Sequence, residues 1–184
     1  MKNLTPIYIA TITLLFSNLS FSQVLDEGTL ITFGAYTAAG AIGNGASSPF
    51  QGDVGTDVGA ITGDWNSDDL NGSGVVYAPP SIETEQAKID LLRMYLQLND
   101  LTVTVDRTAT PAFGGVTGET LEPGVYAAVG AIAVSGNLTL DGGGDANAVF
   151  IIKSAGAINF GAATEIILIN GTKAANVFWV AEGA

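Results

Sequence analysis

The regular spacing of short apolar runs near the C-terminus constrains the fold more than any other feature of this sequence. The runs recur roughly every nine or ten residues, at 148–152, 157–160, 165–169 and 176–180. They are rich in Val, Ile and Phe, which favour strands, and the Gly and Asn residues between them favour tight turns. Short strands at even spacing indicate a sandwich, a barrel or a solenoid. The short corners of small residues and the scarcity of charge favour the solenoid.

The same region resembles a known protein family. The motifs that carry the resemblance are LEPGVY at 121–126, LTLD at 138–141, DANAVFI at 145–151 and NVFW at 176–179, with GDVGT at 52–56 and AITG at 60–63 upstream. Their order is that of the microbial ice-binding protein family, first catalogued as a domain of unknown function, and the similarity runs from Leu30 to the end. The resemblance implies an all-β fold with one helix. This fold is a discontinuous, right-handed, triangular β-solenoid with a long α-helix packed along its side.

The segment 81–98 has the pattern of that helix. Pro80 cannot continue a helix from upstream, Ser81 is a good N-cap, and Glu83 and Glu85 lie near the positive end of the helix dipole. The apolar stripe at helical spacing consists of Ile82, Ile89, Leu92 and Leu96, widened by Leu91 and Tyr95. A stripe of this kind is usually a core contact, so we expect it to bury against one face of the solenoid.

Two segments after the helix connect it to the second block of strands. Residues 101–109 alternate between apolar and polar side chains, which predicts an edge strand or an extended return. Residues 111–118 are predicted to form a loop that leads back to the LEPGVY motif. Glu119 and Glu122, which follow, are interpreted as loop residues without a partner.

The first 22 residues are predicted to be a secretory signal peptide and not part of the fold. Their apolar core at 7–16 is shorter than the ~20 residues that a membrane span requires. Ser20 and Ser22 fit the small-residue rule for cleavage. The chain therefore divides into a signal peptide, 1–22, and one ice-binding-like domain, 23–184, which we expect to be secreted and extracellular. The lack of cysteine means that no disulfide holds the exported domain together.

Charge and composition exclude several function classes. The chain has 18 Asp and Glu against 6 Lys and Arg, so nucleic acid and anionic membranes, which need a basic face, are not expected partners. Without histidine or cysteine, the chain has no Ser–His or Cys–His nucleophile pair and no zinc site of the usual kind. Parallel β-helices that cleave polysaccharides need clustered carboxylates, but Glu165 and Lys173 are isolated in the strand-rich region. We therefore expect neither an enzyme nor a cofactor.

Two acidic segments have some likeness to calcium loops. In residues 64–71 and the residues that follow them, Asp69 and Val75 occupy the positions at which a helix-loop-helix calcium site needs Gly and Glu. Residues 141–145 match part of the calcium β-roll repeat, but the repeat does not recur. The first segment is interpreted as a solvated turn and the second as a corner, and no metal site is expected.

The resemblance implies a secreted protein that binds ice, as an antifreeze or an inhibitor of ice recrystallisation, through a flat, weakly charged solenoid face. Thr117 and Thr120 match the Thr-Ala/Gly-x-Thr/Asn pattern of some family members, once, in TGET. Thr37, Ala39 and Thr62 are the other candidate ice-binding residues, because they lie in the least charged coils. The alternative is that these are small structural residues at corners.

A second function class stays open at this stage. Family members continue past the NVFW motif, so we expect the C-terminal coils to be missing from this chain, which stops at Ala184. A longer parent protein could be anchored at the cell surface through that region. The alternative function is therefore a surface adhesion or structural domain of a larger exported protein, without ice activity.

Overall fold

The computed structural model describes residues 25–45, 51–63, 65 and 74–183. The predicted signal peptide and nearly all of the predicted acidic turn at 64–71 lie outside the described residues. The described residues form thirteen β-strands, one α-helix and two 3₁₀ turns. No helix among them has both the length and the apolar composition needed to cross a membrane.

The elements follow one another with short connections, apart from those that pass through undescribed residues. In chain order they are β1 (Phe33–Thr37), β2 (Ile42–Asn44), β3 (Asp53–Thr56), β4 (Ile61–Gly63), β5 (Val76–Tyr77), α1 (Ile82–Asp100), β6 (Val105–Asp106), β7 (Ala112–Leu121), β8 (Gly124–Ala128), β9 (Ile132–Asp141), β10 (Phe150–Ser154), β11 (Ile158–Phe160), β12 (Glu165–Ile169) and β13 (Val177–Ala181). The architecture is mostly β with one helix.

Every strand pairing in the described part of the chain is parallel, because successive coils return to the same ladder in the same direction. The C-terminal block has three ladders. We call them the helix ladder (β13-β10-β8-β6), the middle ladder (112–115 of β7, 132–136 of β9, and β11) and the last ladder (119–121, 137–141, and β12). The N-terminal block has two ladders, β1-β3-β5 and β2-β4.

A repeated tripeptide, Gly-Ala-Ile, marks one corner of four coils. It occurs at 40–42, 59–61, 130–132 and 156–158, and its isoleucine is the first residue of β2, β4, β9 and β11. The glycine is needed where coils stack, since Gly59 has φ +146° and a Cβ there would press on the carbonyl oxygen of Gly40. The repeat therefore assigns β2 and β4 to the same coil position as the middle ladder.

The core of the C-terminal block lies between its three ladders. Alternate residues of each strand point into it, as expected for strands with one buried face. Its fully buried members are large: Phe113, Phe150, Ile132, Leu138, Leu140 and Ile152. A second cluster, around Leu98, Val125, Ile151 and Val180, lies between α1 and the outer side of the helix ladder.

The helix confirms the sequence prediction in position but not in orientation. Ser81 is the N-cap, and its hydroxyl accepts the Thr84 amide at 3.2 Å. The predicted stripe faces solvent: Ile82 is 81 % exposed, Ile89 59 %, Leu92 59 % and Leu96 58 %. The residues that are buried are Thr84, Ala87, Asp90 and Leu98. The expectation that the stripe would bury is therefore wrong for these four residues. Leu91 and Tyr95, which widen the stripe, are half-buried, and Tyr95 packs against the second cluster.

Close packing at the start of α1 explains the reversal. A Cβ at Gly55 of β3 would meet Thr84 Cγ2 at 3.0 Å, so the helix approaches this strand too closely for a large side chain. The Tyr36 hydroxyl also donates to the Thr84 carbonyl at 2.8 Å. Small side chains at 84 and 87 permit this contact, whereas leucine or isoleucine would hold the helix away.

The segments between α1 and β8 differ in part from expectation. Of the two alternatives for 101–109, an edge strand or an extended return, the structure has the edge strand, but only over residues 105–106, at the end of the helix ladder. The predicted loop at 111–118 is wrong, because most of it is the first part of β7, which pairs with β9. Its glycines suggested a loop, but Gly114 and Gly115 supply positive φ angles inside a strand that shifts register between 115 and 119.

Candidate functional site

The outer side of the middle ladder carries only small or uncharged side chains. Ala112 pairs with Ala133, and Ala133 with Asn159, which forms one outward row across three coils. Gly114 pairs with Ser135 in the next outward row. Ala112, Ala133, Ser135 and Asn159 are exposed, while the residues between them along the strands, Phe113 and Val134, are buried. No charged side chain belongs to either row.

The outer side of the last ladder is different in charge and shape. Its central row is Thr120, Thr139 and Ile167, but the flanking rows contain Glu165 and Asp141. A groove of about 410 Å³ lies along this side. It is lined by 115–120, Gly136, Asn137, Thr139 and Ile167. Val116, one of the lining residues, is fully exposed. The groove makes this side concave, and Glu165 and Asp141 make it partly charged.

The helix ladder is covered over much of its outer side. Val125, Ile151 and Val180 pack against Leu98 of α1. The Lys153 ammonium donates to the carbonyls of Leu98, Asn99 and Leu101 at 2.9–3.3 Å, which satisfies the end of the helix. Desolvation by burial lowers the pKa of Lys153. This side therefore serves to hold the helix.

An ion pair between Arg107 and Glu119 neutralises both charges beside the middle ladder. Arg107 Nη1 lies 2.5 Å from Glu119 Oε1, and the guanidinium carbon lies 4.2 Å from the centre of the Phe113 ring. The other Glu119 oxygen accepts the Gly114 amide at 2.9 Å. The interpretation of Glu119 as an unpartnered loop residue is therefore wrong, since the coil places Arg107 opposite it.

The structure places the five sequence-predicted residues in three separate regions. Thr117 and Thr120 line the groove of the last ladder, with Thr117 at the corner that this ladder shares with the middle ladder. Thr37 and Ala39 share the turn after β1, where the Thr37 hydroxyl donates to the Ala39 carbonyl at 2.8 Å. Thr62 lies exposed on β4, opposite Gly43 of β2. Two of the predicted residues pair with another threonine: Thr120 with Thr139, and Thr37 with the buried Thr56.

Sequence reasoning missed the outward rows of the middle ladder, represented by Ala133, Ser135 and Asn159. These rows contain no threonine and no Thr-Ala/Gly-x-Thr/Asn pattern, and they lie outside the least charged coils that supplied the other candidates. The signal that could have found them is the Gly-Ala-Ile repeat at 130–132 and 156–158, which aligns β9 with β11 and so brings Ala133 beside Asn159.

The described residues contain no set of three His, Cys, Asp or Glu side chains placed to hold a metal ion. At the corner 141–145, Asp141 Oδ1 accepts the Gly143 amide at 2.9 Å and the Asn170 side-chain amide at 2.8 Å. These hydrogen bonds lower the pKa of Asp141. The carboxylate is thus used to close a turn and to join it to the next coil.

The family model for Ice-binding-like proteins matches residues 36–184. The chain therefore belongs to the ice-binding-like family. It is 28 % identical over 143 residues to an ice-binding protein of Flavobacterium frigoris (strain PS1), covering 68 % of this chain and 51 % of that protein. It is 32 % identical over 107 residues to an ice-binding protein of Nostoc sp. (strain HG1), covering 58 % and 38 %.

Solved structures agree with this assignment. The crystal structure of an ice-binding protein from an Antarctic bacterium of the Flavobacteriaceae matches with a TM-score of 0.78 at 36 % identity, over 85 % of this chain and 36 % of that chain. That of the Antarctic ascomycete Antarctomyces psychrotrophicus matches with a TM-score of 0.74 at 31 % identity, over 86 % and 74 %. The chain spans about half the length, or less, of the Flavobacterium and Nostoc proteins compared above.

Proposed function

We propose that this chain is the ice-binding domain of a secreted protein and that it adsorbs to ice through the outer side of the middle ladder. The observation that carries the proposal is the pair of uncharged outward rows, which contain Ala112, Ala133, Asn159, Gly114 and Ser135. The names of its relatives, which are ice-binding proteins, support the target. The proposal includes a right-handed, triangular solenoid in which this face is flat.

Ice presents no charge and no pocket, only an ordered array of water oxygens. A surface that binds it must be broad, rigid and weakly hydrated. Methyl groups, a hydroxyl and an amide on strands held by parallel ladders meet these conditions, and they lose little side-chain entropy on docking. The last ladder, with Glu165, Asp141 and a groove, meets them less well.

The sequence-predicted residues enter this proposal with different roles. Thr62 belongs to the coil position of the middle ladder and is assigned to the ice-binding surface, and Thr117 borders that surface. Thr120 belongs to the last ladder, so its substitution tests the competing face. Thr37 and Ala39 stay candidates in the N-terminal turn, where an Ala39→Tyr exchange would test them without removing the Thr37 hydrogen bond.

The decisive experiment places one bulky side chain on each of two neighbouring faces. Ser135→Tyr and Thr139→Tyr both lie on β9, four residues apart, and point outward on the middle and the last ladder respectively. We expect Ser135→Tyr to abolish thermal hysteresis and recrystallisation inhibition while Thr139→Tyr leaves both near the unchanged value. Circular dichroism and thermal melting verify that both variants fold.

The reverse pattern, with activity lost only in Thr139→Tyr, would move the ice-binding surface to the last ladder. An unchanged chain that is inactive in both assays would contradict ice binding itself. Secretion is tested separately by N-terminal sequencing of exported protein from the native host. The proposal expects a start at Gln23.

A second candidate function is an adhesion or structural domain of a larger exported protein. One comparison favours it. Over 66 residues, which are 35 % of this chain, the sequence is 42 % identical to ice-binding protein 1 of Shewanella frigidimarina (strain NCIMB 400), and the match covers only 7 % of that protein. A domain of this type can therefore be a small part of a long chain. Binding to polysaccharides on a glycan array, together with no ice activity, would support this function.

A further inference from the structure

Two hydroxyl groups join β11 to β9 at the two ends of the middle ladder. Ser154, the last residue of β10, donates through Oγ to the Gly130 carbonyl at 2.8 Å. Thr164, between β11 and β12, places Oγ1 3.1 Å from the Val134 carbonyl, and its single proton is shared between this carbonyl and one of its own coil. Gly130 and Val134 belong to the preceding coil, so each of these contacts spans two coils at a corner.

These bonds matter because β11 is short. Only three residues of β11, Ile158 to Phe160, pair with β9, and β11 carries Asn159 of the outward row. Ser154 is 2 % exposed, and its hydroxyl also accepts the Gly156 amide at 3.2 Å. The Thr164 hydroxyl also lies 2.8 Å from the Gly161 carbonyl of its own coil. Each hydroxyl thus fixes a corner with respect to its own coil and the neighbouring one.

We propose that Ser154 and Thr164 are positioning residues of the ice-binding surface, a proposal that rests on the function proposed above. Neither side chain belongs to the outward rows. By fixing both ends of β11 against β9, they hold Asn159 at the spacing and height of Ala133. Neighbouring strands lie about 4.8 Å apart, and a rigid array tolerates little change in that repeat if it is to match an ordered solid.

The chain contains a matched control for Thr164. Thr172 donates through Oγ1 to the Leu140 carbonyl of the preceding coil at 3.0 Å and lies 2.9 Å from the Ile169 carbonyl of its own coil. It makes the same two contacts as Thr164, with similar partial burial, but it follows β12 at the far end of the last ladder. A Thr→Val exchange removes the same hydroxyl at either site.

The test compares Thr164→Val, Thr172→Val and Thr164→Ser in the full chain, by thermal melting and by thermal hysteresis at equal concentration of folded protein. We expect the two valine variants to lower the melting temperature by similar amounts. Only Thr164→Val should lose most of the thermal hysteresis, and Thr164→Ser should recover it, because serine keeps the hydroxyl. Ser154→Ala, with Ser154→Thr as its rescue, should repeat this pattern at the other corner.

Full thermal hysteresis in Thr164→Val, or a loss in Thr172→Val equal to that in Thr164→Val, would overturn the positioning role. If Ser135→Tyr is inactive at the same time, the proposed function stays intact. An unchanged chain without hysteresis would instead overturn the proposed function, and the positioning role with it. Labelled protein on a single ice crystal gives a second readout. We expect Thr164→Val to bind a different set of ice planes and Thr172→Val to bind the same planes as the unchanged chain. A purely structural loss would leave plane selection unchanged.

Discussion

Thr29 donates both its backbone amide and its hydroxyl to the same carboxylate oxygen of Asp90, each at 2.8 Å. The other oxygen of Asp90 accepts from Gln86 at 3.0 Å and Arg93 at 2.9 Å. The residue is 2 % exposed, and it lies on the buried side of α1. A charged helix residue that a hydrophobicity pattern assigns to solvent therefore fastens the N-terminal segment to the helix.

Removing this carboxylate is expected to destabilise the fold. Asp90→Ala leaves the Thr29 amide and hydroxyl without their charged acceptor, so we expect the free energy of unfolding to fall by about 2 kcal/mol. Asp106→Ala is the control, because Asp106 is exposed and bonds only locally to Thr108. Its cost should stay within about 0.5 kcal/mol. Urea denaturation at neutral pH measures both, and equal effects would contradict this role for Asp90.

The same carboxylate predicts a pH dependence. The hydrogen bonds from Thr29, more than any other cause, lower the pKa of Asp90 from its usual 3.8. A group whose pKa is lower in the folded state contributes stability above its unfolded pKa and loses it as the pH falls through the folded value. We therefore expect the stability difference between the unchanged chain and Asp90→Ala to be constant above pH 3.8 and to shrink below it. Denaturation curves down to about pH 2 measure this, and a constant difference would contradict it.

The orientation of α1 makes opposite predictions for two helical positions that are two residues apart. Ile89 is 59 % exposed, so Ile89→Gln should change the free energy of unfolding by no more than about 0.5 kcal/mol. Ala87 is fully buried, so Ala87→Leu should cost about 1–3 kcal/mol through overpacking. Thermal melts of both variants provide the measurement. A large loss in Ile89→Gln with none in Ala87→Leu would restore the orientation predicted from the apolar stripe.

The stacked corners make a prediction for two glycines of the Gly-Ala-Ile repeat. Gly40 and Gly59 both have positive φ, +104° and +146°, but a Cβ at Gly40 meets nothing within 4 Å while one at Gly59 presses on the Gly40 carbonyl. Both alanine variants carry backbone strain, and Gly59→Ala adds the clash. We expect Gly59→Ala to cost about 1–3 kcal/mol more than Gly40→Ala by chemical denaturation. Similar costs would mean that the coils separate easily.

Local patterns in the sequence predicted the last four strands and the helix. The apolar runs at 165–169 and 176–180 correspond to β12 and, within one residue, to β13, because apolar composition and Gly or Asn turns are local properties of the sequence. Asn170 and Gly171 have the positive φ angles expected of a turn. The helix was found for the same reason, since Ser81 and Pro80 mark its start regardless of what it packs against.

Contacts between distant segments explain what the sequence could not predict. The buried side of α1 is selected by Gly55 and Thr29, and neither residue lies within the helical pattern. The rows of the candidate site depend on the register between β9 and β11, which no single strand reveals. The family's Thr-Ala/Gly-x-Thr/Asn pattern therefore directed attention to Thr117 and Thr120, whereas the row of Ala133 and Asn159 exists only once the ladder is formed.

The parallel ladders also determine how the molecule can assemble. Each strand pairs with one from the adjacent coil, a short distance along the chain, so each new coil can add to a preceding one with a modest loss of loop entropy. The bond between Thr29 and Asp90, in contrast, joins residues 61 positions apart. We therefore expect coils to add one after another to a stacked nucleus, and the N-terminal segment to dock after them and to open before them.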